Sequence, residues 1–295
     1  MTPLVAAAVL IAALTHASWN AIAHNIPDKL VAFTLIGGGA AGIGAVLACF
    51  TPVPAAAAWP YLVVSGVVHV AYKLLLMRSF QLGDFGQMYP IARGTAPLVV
   101  TVAAAAFVGE SLDAWQATGV AVASAGLVGL ALWGIRGSGT TSRAEPGAEP
   151  RATPHWPALL AALATGLSIA AYTVVDGVGV RNADSTLGYI AWLMILEGAV
   201  IPAYALWIRR GPLLPELRRH AGLGLLGAVL AMFAYGLVLW AQTRAALAPV
   251  SALRESSIIV GAAIGTVFFK ERFGGPRMVA AGLMVVGIGL MLHAG

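Results

Sequence analysis

The chain has 295 residues, 59% of them hydrophobic and 10% charged, with a net charge of +5 and a mean hydropathy of +0.86. A soluble domain carries about a quarter charged residues, so this composition excludes one and points to a membrane protein. The isoelectric point near 9.7 does not argue for nucleic acid, because basic residues flanking membrane spans produce the same value.

A spanning helix needs roughly 20 mostly apolar residues, and only helices or closed barrels satisfy their backbone groups in lipid. The apolar runs are long and do not alternate, which excludes a barrel. The first predicted span, Leu4–Ala23, holds Trp19 and ends near an "AIA" resembling a signal-peptide site; no Lys or Arg precedes it, so it is kept as a helix. Leu30–Phe50 follows, with Gly38 and Gly42 spaced for close helix contact and the single cysteine, Cys49, read as a packing residue. Tyr61–Phe80 carries His69, Tyr72 and Lys73 at spacings that share one face; they form either a polar site or a hydrogen-bonded packing cluster, with Lys73 extending toward the cytoplasm.

The fourth span, Gln87–Val108, contains Tyr89 and Arg93 between Pro90 and Pro97. Proline frees backbone groups that need partners inside the protein, so a kinked, cavity-lining helix is expected. Ala114–Gly134 is the fifth span. The polar stretch "RGSGTTSRAEPGAEPRATP" then reads as a flexible linker, and the chain divides into a first unit over 1–135, a linker over 136–155 and a second unit over 156–295.

Trp156–Val175, the sixth span, holds Tyr172, which can form an aromatic lining with Trp19 and Tyr89. Asp176 follows directly and reads as interfacial. Glu197 lies at the centre of the seventh span, Gly188–Trp207, where it must be protonated, paired or in water; proton coupling and a plain helix–helix hydrogen bond both fit. Leu223–Gln242 is the eighth span. The ninth, Ala248–Phe269, carries Ser251, Arg254, Glu255 and Ser256, its serines expected to bond back to the helix. Glu255 adjoins Arg254 in sequence, so the two side chains point about 100 degrees apart. Gly275–Leu292 is the tenth.

Of the seventeen Lys and Arg, all those outside the spans except Arg181 and Arg244 fall on one face of this arrangement. The positive-inside rule makes that face cytoplasmic. The linker is then cytoplasmic and both termini are periplasmic, in a bacterial-type inner membrane.

The spans also repeat. A shift of 161 residues carries Arg93 onto Arg254 and Glu110 onto Glu271, and a shift of 163 carries Tyr72 onto Tyr235 and Gly119 onto Gly282. Five spans per unit make the two copies enter the membrane from opposite sides, an inverted repeat of the kind that encloses a midplane site. The two arginines, about two turns inside their spans, are expected near opposite faces, serving either as locks on neighbouring helices or as carboxylate binders.

The motifs "SWNAIAH", "YPIARG" followed by "GE", and "ALRESS" followed by "FFKER" resemble the EamA family of the drug/metabolite transporter superfamily, nearest its YddG-type amino-acid exporters. The resemblance implies an all-α membrane protein of ten helices, two inverted five-helix halves around a central cavity, and export of small metabolites. Trp19, His69, Tyr72, Tyr89, Tyr172, Glu197, Ser251 and Ser256 are the candidate cavity residues; Lys73, Arg93, Asp176, Arg254 and Glu255 are the candidate gating or structural charges. No G-x-x-x-x-G-K-[ST], H-E-x-x-H or G-x-S-x-G stretch is present, so direct ATP hydrolysis and catalysis are not expected, nor is a cofactor or metal. The expected function is amino-acid export by alternating access, with multidrug or other metabolite export as the alternative. The expected partners are a small-molecule solute and the lipid bilayer, with no nucleic acid and no requirement for an oligomer.

Overall fold

The helix starts are set by local chemistry. Thr2 caps the first helix, α1 (Pro3–Asn25), by accepting from Val5 N, with proline at the position where no N–H is needed. Asp28 accepts from the N–H groups of Leu30 and Val31 at the start of α2 (Lys29–Ala48). Lys29 Nζ turns back to donate to the carbonyls of His24 at 2.7 Å and Ile26 at 2.9 Å, closing the exposed end of α1. A 3-10 turn over Ala56–Ala58 leads into α3 (Trp59–Leu82). A computed structural model describes residues 1–82, 93, 96–137, 156–209, 213–260 and 275–293. The linker segment 138–155, Tyr89, Pro90 and Glu271 lie outside the described residues.

The described part of the fourth span is α4 (Ala96–Ala103), continued by a π-helical turn over Ala104–Val108. Gly109 ends it at φ 71°, a left-handed position suited to glycine, and Glu110 N donates to Ala104 O at 3.2 Å across the cap. Then follow α5 (Ala114–Gly137), α6 (Trp156–Arg181) and α7 (Thr186–Gly198), the last capped by Ser185. The seventh span continues as α8 (Val200–Ile208): Ala199 keeps helical angles, its N donates to Ile195 O at 3.3 Å and its carbonyl accepts from Ala203 N at 3.1 Å, while Pro202 has no N–H to offer the carbonyl of Gly198 one turn earlier.

The eighth span departs from expectation, running as α9 over Leu213–Gln242 rather than from Leu223. Its 30 residues measure about 45 Å, longer than a bilayer core, and the exposed first turns carry Glu216, Arg218 and Arg219. Polar residues there mask the helix from a hydropathy reading. The ninth span begins as α10 (Leu247–Arg254), turns at Glu255 and Ser256, and resumes helically over 257–260. The last helix is α11 (Gly275–His293).

The closely packed helix pairs run antiparallel. Val5 and Val9 of α1 meet Val238 and Ala241 at the end of α9, while Trp19 and Ala23 meet Leu213 at its start. Leu62 of α3 meets Val180 of α6, and Leu76 meets Ile169. Small residues bring backbones together in the other two pairs. In α2 and α7 a Cβ at Gly37 would stand 3.2 Å from Gly198 O. In α5 and α11 a Cβ at Gly119 would stand 2.6 Å from Gly287 O, and one at Gly287 2.6 Å from Gly119 O, the close approach that small residues allow in lipid. Gly38 abuts Pro202 as a contact residue should, whereas Gly42 faces open space. Cys49 is exposed at the end of α2, not packed in the core as expected.

The bundle thus has two ends. At the first end Ala55 N donates to Ala183 O, and Arg181 reaches the α9–α10 connection. At the second end Asp28 pairs with Arg209. Six described helices are long and apolar enough to cross a membrane, and their outer faces expose Leu4, Ile11, Val46, Val67, Leu225 and Val229. With no water-seeking groups there, the solvent of those faces is lipid, and the chain is a multi-pass membrane protein.

Candidate functional site

At about 1.5 Å per residue, His16, His69 and Glu197 stand roughly 15 to 20 Å along their helices from the first end, near the middle of a hydrocarbon layer about 30 Å thick. Charges at this depth need partners, and the structure supplies them in three separate arrangements.

The first joins α1, the fourth span and the α10 turn. Arg93 donates from Nε to Glu255 Oε2 at 2.6 Å and from Nη2 to Oε1 at 3.0 Å, a two-pronged pair in which each residue is 1% exposed. Its Nη1 lies 2.9 Å from His16 Nε2. The indole N–H of Trp19 donates to His16 Nδ1 at 3.2 Å; a neutral imidazole has one acceptor nitrogen, so Arg93 and Trp19 compete for it. The expectation that Arg93 and Arg254 lie near opposite faces is corrected: the carboxylate holding Arg93 belongs to the residue after Arg254.

The second arrangement is the ion pair of Lys73 Nζ with Glu197 Oε2 at 2.9 Å, tying α3 to α7. Lys73 therefore turns into the bundle instead of extending toward a membrane face. Of the three possibilities open to Glu197, pairing is the one found.

The third centres on Asp176, which is 0% exposed. It was expected at the interface because the predicted span stopped at Val175; α6 continues to Arg181 and carries it inside. Tyr189 donates to Oδ1 at 2.8 Å, and Tyr235 donates to Oδ2. His69 Nδ1 lies 4.0 Å from Oδ2 and 3.0 Å from Ser65 Oγ. The His69 ring stacks on Tyr172 with centroids 3.9 Å apart, and Tyr72 meets Tyr172 edge-on at 5.5 Å.

Arg254 stands apart from these. It is 5% exposed, donates from Nη2 to Tyr172 Oη at 3.2 Å, and lies 5.5 Å from the Tyr235 ring centroid and 5.9 Å from that of Tyr172. Among the described residues no carboxylate pairs with it, since Glu255 is engaged by Arg93. Next to it the chain turns, with Glu255 N donating to Ala252 O and Ser256 N to Leu253 O. The buried hydroxyls of Ser256 and Ser257 have no hydrogen-bond partner among the described residues, contrary to the expected back-bonding of Ser256. Ser251 is buried one turn before.

Of the expected aromatic lining, Tyr172 is central, Trp19 sits instead against His16 and Ala23, and Tyr89 lies outside the described residues. His16, Ser65, Tyr189 and Tyr235 belong to the network without having been singled out as site residues. Only Tyr235 had a signal, its alignment with Tyr72 at the shift of 163 residues.

Each end carries its own charge pair. At the first end Glu110 Oε1 lies 2.9 Å from Arg181 Nη2, while Oε2 accepts from Leu247 N at 2.7 Å and so caps α10. Arg181 also donates to the carbonyls of Gln242 at 2.8 Å and Ala245 at 3.0 Å. At the second end, partial burial works against ionisation of Asp28, but the Arg209 guanidinium and the N–H groups of Leu30 and Val31 outweigh it and hold the carboxyl below its usual range.

The comparisons with known proteins bear on what this buried, polar midplane serves. Residues 156–293 match the EamA-like transporter family. This EamA-like segment contains Tyr172, Asp176, Glu197, Tyr235 and Arg254, so most of the network lies within it. A solved structure described only as "Crystal structure of protein" superposes with a TM-score of 0.70 at 20% identity, covering 98% of this chain and 99% of that one; it shows the shared fold alone. No curated protein matches the chain.

Proposed function

We propose that the whole chain is a drug/metabolite-type transporter that exports amino acids, aromatic and apolar ones included, by alternating access between two inverted five-helix halves. The helix pairing supports the symmetry. Exchanging the first five spans for the last five converts the α1–α9 contact into the α6–α3 contact and returns α2–α7 and α5–α11 onto themselves. The division into units over 1–135 and 156–295, with a cytoplasmic linker, follows from the same reading. The excess of Lys and Arg at the second end, including Lys29, Arg209, Arg218 and Arg219, supports placing that end in the cytoplasm. A transporter of this class requires no catalytic group, and the reading assigns none.

The observation that carries the solute class is Arg254. A guanidinium offers five N–H donors, and this one is buried with a single acceptor among the described residues, two aromatic rings and a helix end beside it. Broken helices commonly line transporter sites near the midplane. A solute carboxylate satisfies the remaining donors in the two-pronged geometry that arginine favours, and Tyr172, Tyr235 and Tyr72 offer flat surfaces to an apolar or aromatic side chain. Ser251, Ser256 and Ser257 are placed to meet its polar atoms. Cationic drugs suit the rings but not the guanidinium lying over two of them.

Efflux of labelled amino acids from proteoliposomes is the test. Flux above that of protein-free vesicles, competed by unlabelled amino acids and not by cationic dyes, is the expected result. Competition by the dyes alone supports the multidrug alternative, and no flux of any amino acid rejects the reading.

A further inference from the structure

Among the described residues the buried carboxylates are Asp176, Glu197 and Glu255. Glu255 is held by Arg93 and Glu197 by Lys73, so each has an arginine or lysine at ion-pair distance. Asp176 does not. Among the described residues its one basic neighbour within 4.0 Å is the imidazole of His69. Two phenol hydroxyls donate to Asp176, which satisfies an ionised carboxylate, and the same oxygens can accept if the carboxyl becomes the donor. We propose that Asp176 and His69 together form a proton-binding site, one proton shared by the pair, whose occupancy is coupled to solute bound at Arg254.

The coupling has a physical route. Tyr235 donates to Asp176 Oδ2 while its ring lies beneath the Arg254 guanidinium. His69 stacks on Tyr172, whose hydroxyl accepts from Arg254. Both residues of the proton site thus reach Arg254 through one aromatic ring each. The groups facing the pair are Ser65 and Tyr72 of α3, Tyr172 of α6, Tyr189 of α7, Tyr235 of α9 and Arg254 of α10, with the neutralised Lys73–Glu197 pair one helical turn beyond His69. Because Tyr189 and Tyr235 occupy the Asp176 oxygens, a solute ammonium has no direct access to them and a proton is the ligand that fits. A bound proton adds one positive charge on the side of the solute carboxylate, so proton and solute strengthen each other's binding, by linkage in both directions. Coupled groups of this kind titrate as a pair, and the macroscopic value belongs to both.

The proton site stands without the amino-acid reading, whereas the coupling rests on it, and the experiment separates the two. The purified full-length protein is followed by pH-difference infrared spectroscopy in the protonated-carboxyl region from about pH 5 to pH 8. Binding of a panel of neutral amino acids is measured over the same range. A carboxyl signal that titrates in the wild type and vanishes in Asp176→Asn supports the proton site. Solute affinity that rises roughly tenfold toward acid, and loses that dependence in Asp176→Asn, supports the coupling. Should Asp176→Asn fail to fold, Tyr235→Phe keeps the ring and removes one donor to the ionised carboxylate, so the titration must move to higher pH. No titrating carboxyl, or one unchanged in both variants, overturns the proton site. A pH-independent affinity overturns the coupling. Wild-type protein that shows the signal yet binds no amino acid at any pH supports the proton site and rejects the solute reading.

Discussion

Arg93 and Arg254 occupy matching positions in the two halves of the sequence, yet their surroundings differ. Arg93 is saturated, with both carboxylate oxygens of Glu255 and the imidazole of His16 around it. Among the described residues Arg254 has one phenol oxygen and two ring faces. The proposed duplication would account for an arginine at each position and says nothing about its role, which the neighbours assign. A saturated guanidinium holds helices together; one with donors to spare is available to a ligand.

The largest effect sharpens that contrast. Glu255→Ala strands a buried guanidinium, which costs on the order of 3–5 kcal/mol, so the variant is expected to show a collapse in folded yield and a steep fall in thermal midpoint. Arg254→Ala removes a charge that no carboxylate among the described residues pairs with, and it is expected to leave the thermal midpoint far closer to wild type. Its solute affinity is expected to drop roughly 10- to 100-fold, the equivalent of a charge-assisted hydrogen-bonded pair. Equal destabilisation by the two substitutions would erase the distinction between the arginines.

The Lys73–Glu197 pair is intermediate. Lys73→Ala and Glu197→Ala each leave a partly buried charge without its partner. The double variant is expected to recover about 1–2 kcal/mol relative to the sum of the single losses, measured as a double-mutant cycle of unfolding. Strict additivity would mean that the pair contributes nothing. Smallest is the exposed pair at the second end. The Asp28 carboxyl is held below its usual range in the folded protein, so its contribution to stability is present above the unfolded value of about 3.9 and is lost as pH falls through the lower folded value. Asp28→Asn is expected to flatten this acid limb of the stability profile by a small amount, since solvent screens the pair.

Much of this contrast was hidden at the level of sequence, for identifiable reasons. Helix positions were legible because lipid-facing segments must be apolar, and α1, α2 and α3 start and stop within a few residues of the hydropathy runs. The extension of α9 was not, since Arg218 and Arg219 lower the hydropathy of its exposed first turns. Asp176 was misplaced by the same rule in reverse: α6 continues past Val175, and six more residues of helix put a charge in the core. The Arg93–Glu255 pair could not be read from spacing, because the partners are 162 residues apart and Glu255 stands beside a different arginine. Tyr235 was signalled by its alignment with Tyr72, whereas His16 had no repeat partner to mark it.

The most direct test of the account compares an amino acid with the amine that lacks its carboxylate, tryptophan against tryptamine, for binding to the purified wild-type protein and to Arg254→Ala. The account predicts that the wild type binds tryptophan and rejects the amine, and that the substitution abolishes this preference while the protein remains folded. An amine bound as tightly as tryptophan by the wild type, or a preference that survives loss of Arg254, would contradict it.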